Sequence, residues 1–502
     1  MRVWRASLEL ILGLLLVVGS ASAAAPKVDL VISGEASSLE KQAAADIAAD
    51  LKKNFVAQVT ISSTVPDGAE HLIFVGRPES IPVTKENVSK KWPNLKDQDH
   101  FLLTIKFKGK AALLVGGQSP RATYWASSEY AHSLGVRSML FGDLYPVDPK
   151  PFSLDQYDRL LTLNSDSSTW LETDPFPTGI TAWSLDESKQ RIRQIARLKY
   201  SSIAFETHPS QPFVKDAKSD RREQSGDLWF GWRFPVSGDT AGRSAFRGAK
   251  FFINPEFANA ATYEQRMQAG NKWVTGLATQ AESFGMKLQV QTNDQSLAFR
   301  PLVSDECLIA YQSSRNRFGE SLSGESLCSS FLDPICGGGL SLSVHKAVEQ
   351  IQNASKLINE NDQQFSLPSP DMILKHYAQA TPAPAWWSKV RDLYLGGMNE
   401  MYRANTRARD GGRSYSLYLA RRCEFGYEYM NCIDATRSAA TARDKKDPKE
   451  QRAQLEKAVE SMNAACVALS AIARDPSDRG MIAVLNEFGY RPLQKELEKL
   501  EE

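Results

Sequence analysis

The first part of the chain alternates between strand-like and helix-like patterns of apolar residues. Residues 37–54 place Ala43, Ile47 and Leu51 at intervals of four, the spacing of the buried face of an amphipathic helix. Apolar segments typical of strands lie on either side of this helix, and a hairpin follows them. These segments are KVDLVIS, QVTIS, HLIFVG and DHFLLTIKFKGKAALLVGG. The pattern predicts a mixed α+β domain over residues 27–155.

The stretch GGQSPRATYWASSEYAHSLGVRSMLFGDLYP predicts a strand, a helix and a further strand in succession. Ser119 suits the helix cap, and Pro120 suits the first helical position. Gly135 suits the left-handed residue that follows the last turn. A stripe of mostly modest-sized side chains along the helix predicts close packing on a sheet, and it consists of Tyr124, Ser128, Ala131 and Leu134.

Residues 156–385 repeat a strand and helix alternation that favours a parallel β/α arrangement. The predicted strands are RLLTLNS, SSIAFETHP, MKLQVQTND and FSLPSPD. The helices between them are predicted in DESKQRIRQIARLKY, ATYEQRMQAGNKWVTGLATQAESFG and SVHKAVEQIQNASKLINEN. A complete eight-stranded barrel needs about 250 residues, so this region predicts a partial (β/α) barrel of the TIM type.

From residue 386 to residue 502 the pattern is helical. Trp386 and Trp387 begin this region and are expected to seal a domain junction. The helices carry mixed charges and an apolar face, as in QRAQLEKAVESMNAACVALSAIA, which predicts a bundle. The same helices are a candidate surface for homo-oligomers. The fold class predicted for the whole chain is therefore α/β with an α-helical C-terminal region.

The N-terminal pattern resembles a known accessory domain. The order of sheet, Gly-rich turn, SPRATYWASSEYAHSLGVR helix and LYP exit is similar to the non-catalytic domain before the barrel in bacterial hexosaminidases and alpha-glucuronidases, glycoside hydrolase families 20 and 67. The resemblance covers roughly Lys27 to Leu154, and Ala122 stands where a glycine commonly follows the arginine. RRCEFGYEYMNCIDA resembles the helical C-terminal region of exported relatives. The resemblance implies a supporting role for the first domain and a polysaccharide as substrate.

Composition and charge exclude several classes of partner. The chain has 502 residues, with 60 basic and 59 acidic side chains and a formal net charge of +1. This length predicts two or three domains. No long block of like charge occurs, which argues against nucleic acid and against a polybasic membrane anchor.

The N-terminus has the pattern of a signal peptide. Arg2 and Arg5 precede the apolar run LILGLLLVVG and the small-residue stretch SASAAAP, which predicts cleavage after Ala23. The mature protein is therefore expected to be periplasmic or secreted, with no stable membrane span. Glu9, close to the apolar run, leaves an uncleaved anchor as the alternative.

No cofactor or metal is predicted. The six cysteines show no CxxC spacing, and no HxxxH pair occurs. Export would permit a small loop closed by Cys328 and Cys336, although buried free thiols are the alternative. The GGG of residues 337–339 lacks the Lys and Ser/Thr of a phosphate loop. No GxSxG elbow is present either.

Polar residues at the predicted strand ends are the candidates for chemistry, since β/α barrels place working residues there. Glu206 and Asp294 are the best pair for glycosidic cleavage, as acid and base or as acid and nucleophile. The alternative is that they cap the helices that follow or bind sugar hydroxyls. The candidates for substrate binding among these residues are His208, Asn293 and Asp371, and Asn164 and Asp166 also follow a predicted strand.

The segment DLWFGWRFP offers flat aromatic faces. Trp229 and Trp232, with Trp183 nearby, suit stacking on sugar rings, and Arg233 or Asp227 suits bonds to hydroxyls. The alternative is a loop that buries these aromatics to fix itself to the barrel.

Two hypotheses for function remain open. The hexosaminidases carry an HxGGDE-like strand end, and the chain has no such motif. Its Asp186–Glu187 and Asp305–Glu306 pairs lack that context. The first hypothesis is an exported glycoside hydrolase-like protein that acts on or binds polysaccharide. The second is a catalytically inactive sugar-binding or structural protein that retains the glycosidase scaffold.

Overall fold

The structure, a computed structural model, describes residues 25–81, 94–164, 168–172, 177–207, 233–292, 302–362 and 365–500, with the backbone alone for residues 206, 207, 291 and 292. The predicted signal peptide, residues 1–23, lies outside them. The strands are β1 Lys27–Val31, β2 Gln58–Ser62, β3 His71–Val75, β4 His100–Phe107, β5 Lys110–Gly117, β6 Arg137–Met139, β7 Gly142–Leu144, β8 Asp158–Leu161, β9 Thr169–Glu172, β10 Ser202–Thr207, β11 Phe234–Pro235, β12 Phe251–Phe252 and β13 Lys287–Thr292. The helices are α1 Ser38–Phe55, α2 Pro120–Ser133, α3 Leu185–Arg197, α4 Tyr263–Ser283, α5 Glu306–Asn316, α6 Gly324–Cys336, α7 Ser341–Asn361, α8 Ala385–Arg407, α9 Asp410–Asp444, α10 Pro448–Ser470, α11 Pro476–Leu485 and α12 Arg491–Glu498.

The first domain is a six-stranded mixed sheet. Its strand order is β2-β1-β3-β5-β4-β8, with β4 antiparallel to both of its neighbours. The helix predicted over residues 37–54 is α1, and it begins with a capping box between Ser37 and Glu40. Ala43, Ile47 and Leu51 are buried against the sheet as predicted.

The turn from β5 into α2 has the predicted chemistry. The Ser119 hydroxyl accepts from the Ala122 backbone N–H at 3.2 Å, and Pro120 begins the helix. Gly135 has a φ of 90°. Ala122 lies in a regular helix and is fully buried against Gly117, where an added Cβ would collide with it. Both faces of α2 are covered, because the second domain packs on the side that faces away from the sheet.

The second domain contains a three-stranded parallel sheet with the order β13-β10-β9. The predicted strands SSIAFETHP and MKLQVQTND are confirmed as β10 and β13. The assignment of RLLTLNS as the first barrel strand is wrong, because β8 pairs with β4 and extends the first sheet. The neighbour of β10 is instead β9, whose four residues TWLE are too short to stand out in a pattern. A closed or partial barrel stays a prediction.

The segment FSLPSPD is not a strand either, in the part of it that the structure describes. Residues 365–371 form bends and turns that lead into a π-helical turn, Ile373–Tyr377. Two prolines remove ladder donors there, which opposes pairing. The pattern also missed α5 and α6, and α6 continues through Pro334.

The C-terminal helices form the predicted bundle. Its core combines α7 to α11 with Trp387 and Tyr394, and the Arg437 guanidinium lies over the Trp387 ring. Trp387 is thus buried within the bundle, as a structural residue. All six cysteines are free thiols, so a bridge between Cys328 and Cys336 is not formed. Among the helices that the structure describes, none has both the length and the apolar character to span a bilayer.

A buried ionic cluster joins the two domains. Glu129 of α2 is fully buried and accepts from Lys199 at 2.5 Å, from Arg315 at 2.8 Å and from Arg159 at 2.8 Å. Burial alone would raise the pKa of Glu129, but Lys199 and Arg315 hold it well below its usual range. Burial lowers the pKa of Lys199 to about 8 despite this contact. The helix α2 therefore anchors the second domain to the first through Glu129.

Candidate active site

The carboxyl ends of β9, β10 and β13 meet at one edge of the parallel sheet. Glu206 is the penultimate residue of β10, the central strand, and lies in register with Gln291 of β13. Asp294 follows the end of β13 by two residues and lies outside the described residues. Because parallel neighbours end at the same edge, Glu206 and the end of β13 lie together there, and the place of Asp294 stays a prediction.

Glu172, at the end of β9, is a buried carboxylate that the sequence pattern missed. It lies in register with Phe205, whose ring packs on Trp273 of α4, so Glu172 faces the helices that cover the sheet. Arg191 of α3 binds it with two parallel hydrogen bonds, 2.6 Å from Nε to Oε1 and 3.1 Å from Nη2 to Oε2. The Trp170 indole donates to it at 2.8 Å. These three hydrogen bonds fix the carboxylate in place, which suits positioning better than proton transfer.

Arg191 also reaches acidic groups from two other elements. Its Nη2 lies 3.1 Å from Glu306 Oε2, at the start of α5, and Asp475 at the cap of α11 interacts with it electrostatically. Burial opposes the charge on Arg191, but Glu172 and Glu306 more than offset it and hold its pKa well above the usual range. Burial and the neighbouring Asp478 raise the pKa of Asp475 to about 7. Asp475, whose side chain caps α11, therefore carries a raised pKa beside the buried Arg191.

The C-terminal helices supply Asp475 because α11 docks beside this edge. The Trp183 indole donates to Ser477 at 2.7 Å, and Arg191 stacks on the same indole with 5.2 Å between the guanidinium carbon and the ring centre. Gly480 faces the carbonyl of Pro177 so closely that an added Cβ would collide with it. Trp183 is buried and fixes these contacts, so its surface is occupied by protein.

We expect Gly480→Ala to lower the free energy of unfolding by about 1 to 3 kcal/mol, the usual cost of overpacking. The added methyl group would meet the Pro177 carbonyl and force α11 away from the edge. Urea denaturation measures the loss, and Gly338→Ala is the matched control because nothing lies near its Cβ position. A gain for Gly480→Ala, as at an open helical site, would contradict the close contact.

No protein-family model and no curated protein matches the sequence. In structure, the chain is similar to a family GH115 4-O-methyl-alpha-glucuronidase with specificity for decorated arabinogalactans. The two share 10% identity at a TM-score of 0.50, over 92% of this chain and 79% of that chain. The chain has a glycosidase-like fold. A GH138 enzyme targeting pectin rhamnogalacturonan II has a TM-score of 0.40 at 9% identity, over 95% of this chain and 100% of that chain. The structure of CpGH84D has a TM-score of 0.31 at 10% identity, over 92% and 96% of the two chains.

The glycosidase-like resemblance of the sequence is thereby confirmed for the fold, while families 20 and 67 in particular stay a prediction. Most of the predicted glycosidase site falls outside the described residues, namely His208, Trp229, Trp232, Asn293 and Asp294. Asp371 is described, but it does not end a strand. It lies in an exposed turn beside the helical bundle with a φ of 64°, 2.8 Å from the Lys375 ammonium. Its role in substrate binding stays a prediction.

Two further candidates from the sequence, Arg233 and Asn164, each make a hydrogen bond to a protein carbonyl. Arg233 donates to the Ala258 carbonyl at 2.7 Å, which leaves its other donors for a ligand. Asn164 does not follow a strand of the parallel sheet, because β8 belongs to the first sheet, and its backbone N–H donates to the Arg317 carbonyl at 3.0 Å. Within the described ranges, no group of three or more His, Cys, Asp or Glu residues is placed to hold a metal ion.

Proposed function

We propose that the protein is an exported glycoside hydrolase-like protein, periplasmic or secreted, that cleaves glycosidic bonds in a polysaccharide. The observation that carries this proposal is the likeness of its fold to a 4-O-methyl-alpha-glucuronidase over 92% of the chain. A link to families 20 and 67 through residues 27–155 is part of the proposal. That domain would support the catalytic domain, and cleavage of the leader after Ala23 would release the mature chain.

The proposed reaction uses Glu206 and Asp294. One carboxylic acid donates a proton to the glycosidic oxygen as the bond to the anomeric carbon breaks. The other carboxylate either attacks that carbon or removes a proton from the attacking water. The parallel pairing of β10 and β13 supports this proposal, since Glu206 lies near the end of one strand and Asp294 follows the other by two residues in sequence. Arg191 and Glu172 would hold the rim of the site, and Trp229 and Trp232 would stack on sugar rings.

The second candidate is a non-catalytic sugar-binding or structural protein on the same scaffold. The docking of α11 beside the carboxyl edge favours it, because protein groups occupy space next to the strand ends. The absence of an HxGGDE-like motif from the sequence favours it as well. Both candidates share the carbohydrate ligand and differ in turnover.

The test is release of reducing ends by the purified mature chain from oligosaccharides of uronic acids, N-acetylhexosamines and neutral sugars. We expect Glu206→Gln and Asp294→Asn each to lower the rate on the order of 100-fold, the lower range for loss of a general acid or base. Asp475→Asn keeps a capping side chain and separates a role in proton transfer from a role in folding.

The outcomes of this assay distinguish the two candidate functions and test the two proposed carboxylates. Loss of release in either variant would establish a glycosidase with these residues. Release that is insensitive to both substitutions would keep the enzyme and reject the pair. Absence of release on every substrate, with binding retained, would support the non-catalytic candidate.

A further inference from the structure

A cleft lies at the edge of the parallel sheet that is opposite to Glu206. Its volume is about 440 Å³, and its lining residues come from α5 and the segments next to it. They are Asn164, Ile309, Gln312, Ser313, Asn316 and Arg317. Arg317 contacts Ser168 and the carbonyls of Leu198 and Lys199, which directly precede β9 and β10. The cleft is therefore at the amino edge, separate from the candidate active site.

Arg317 is fixed in place by neutral groups. Its Nη1 donates to Ser168 Oγ and, at 2.9 Å, to the Lys199 carbonyl, while Nη2 donates to the Leu198 carbonyl at 3.0 Å. The guanidinium also lies over the Tyr200 ring, 4.4 Å from its centre. With the bond of 3.3 Å from Nε to the Ser313 carbonyl, these contacts use four of the five guanidinium hydrogens and leave one on Nη2.

The charge of Arg317 has no carboxylate partner among the described residues. Burial lowers the pKa of Arg317 to about 10. The contrast with Arg315, two residues earlier, is direct, since Arg315 contacts both Glu129 and Glu320. A partly buried cation that faces a cleft without an anion is a site that an anionic ligand would stabilise.

The rest of the lining suits a polyhydroxylated ligand. Ile309, Gln312, Ser313 and Asn316 follow the spacing of one helix face, so their side chains share the wall of the cleft. Ile309 is 52% exposed and offers an apolar surface beside two amides and a hydroxyl. The backbone N–H of Asn164 donates to the Arg317 carbonyl at 3.0 Å and fixes the opposite wall. Amides bind hydroxyl groups both as donors and as acceptors.

We propose that this cleft binds an anionic saccharide, with its acidic group at Arg317 and its hydroxyl groups at the amides of α5. The inference rests on the proposed function in one respect, namely that the chain meets polysaccharide. It adds a binding site away from the catalytic edge, which would hold the polymer while the strand ends act on another part of it.

The test is calorimetry with the full mature chain carrying Glu206→Gln and Asp294→Asn. The probes are trisaccharides to hexasaccharides of galacturonic acid, the same oligomers with reduced carboxyl groups, and sulfated oligosaccharides of equal length. We expect the uronic acid oligomers to bind about 10-fold more tightly than the reduced ones, as for one charge-assisted hydrogen bond. The sulfated probes separate carboxylate from sulfate as the source of the charge.

The variant Gln312→Ala with Asn316→Ala tests the location. Both side chains are at least partly exposed, and Asn353→Ala on the exposed face of α7 is the matched control. We expect about 10-fold weaker binding for the double substitution and no change for the control. Equal binding of charged and neutral oligomers, equal binding by the α5 variant, or no binding at all would overturn the proposal. Reducing-end release without binding at the cleft would reject this inference alone, and cleft binding without release would reject hydrolysis alone.

Discussion

Replacing Glu129 with glutamine is expected to lower the free energy of unfolding by about 3 to 5 kcal/mol, the usual cost of removing one partner from a buried ion pair. Lys199 and Arg315 are both nearly inaccessible to water, and Glu129 is the carboxylate that they share. A neutral amide would leave the buried charge of Lys199 without a carboxylate among the described residues, and Arg315 would keep Glu320 alone. Arg159 would lose its contact as well, but it is more exposed and matters less.

The pH dependence of the free energy of unfolding provides a second test of this prediction. The pKa of Glu129 is well below its ordinary value of 4.5 in the folded chain, so the folded state binds fewer protons near that pH. Its contribution is therefore present above pH 4.5 and is lost as the pH falls through the folded pKa. The difference between the natural chain and Glu129→Gln should be full at pH 7 and should shrink in acid.

Urea denaturation at pH 7 and at pH 4 measures both effects. Glu282→Gln is the matched control, because Glu282 is exposed near the end of α4. The double variant Glu129→Gln with Lys199→Met should recover part of the loss by removing one buried charge. A loss within about 0.5 kcal/mol, typical of surface substitutions, would show that the cluster does not join the domains.

The elements that the sequence predicted well are those with long periodic patterns or specific caps. The apolar face of α1 and the caps of α2 are local features, and both are present. The strand β10 was predictable because SSIAFE is apolar and lies between two helices. The strand β8 was misassigned because its residue pattern does not specify which sheet it joins, and pairing with β4 depends on contacts with residues more than fifty positions away.

The candidate site was only partly predictable for a related reason. Glu206 stands out because it lies near the end of a six-residue strand, whereas Glu172 ends a strand of four residues. The contact between Glu172 and Arg191 depends on α3 packing over β9, and a sequence pattern does not contain that packing. Asp305–Glu306 and Asp475 appear as ordinary helix starts, and Asp305 and Asp475 are indeed helix caps. The place of Asp475 near Arg191 follows from the docking of α11, and that of Glu306 follows from the packing of α5.

Replacing Arg191 with methionine is expected to cost about 3 to 5 kcal/mol of folding free energy, again because a buried charge loses its partner. Methionine retains much of the apolar length of the arginine side chain but none of its donors. Glu172 would keep a single donor, the Trp170 indole, at a position almost closed to water. Glu306 would lose an ionic contact too, but it is half exposed and can be hydrated.

A double-mutant cycle separates the ion pair from simple loss of packing. Arg191→Met with Glu172→Gln removes both charges, so we expect it to be more stable than Arg191→Met alone. Lys189→Met on the same helix is the control, since its contact with Asp186 is a surface pair 3.9 Å long. If the double variant were no more stable than the single one, Arg191 would act mainly by stacking on Trp183. The docking of α11, rather than the charge of Glu172, would then explain why an arginine stands at this edge of the sheet.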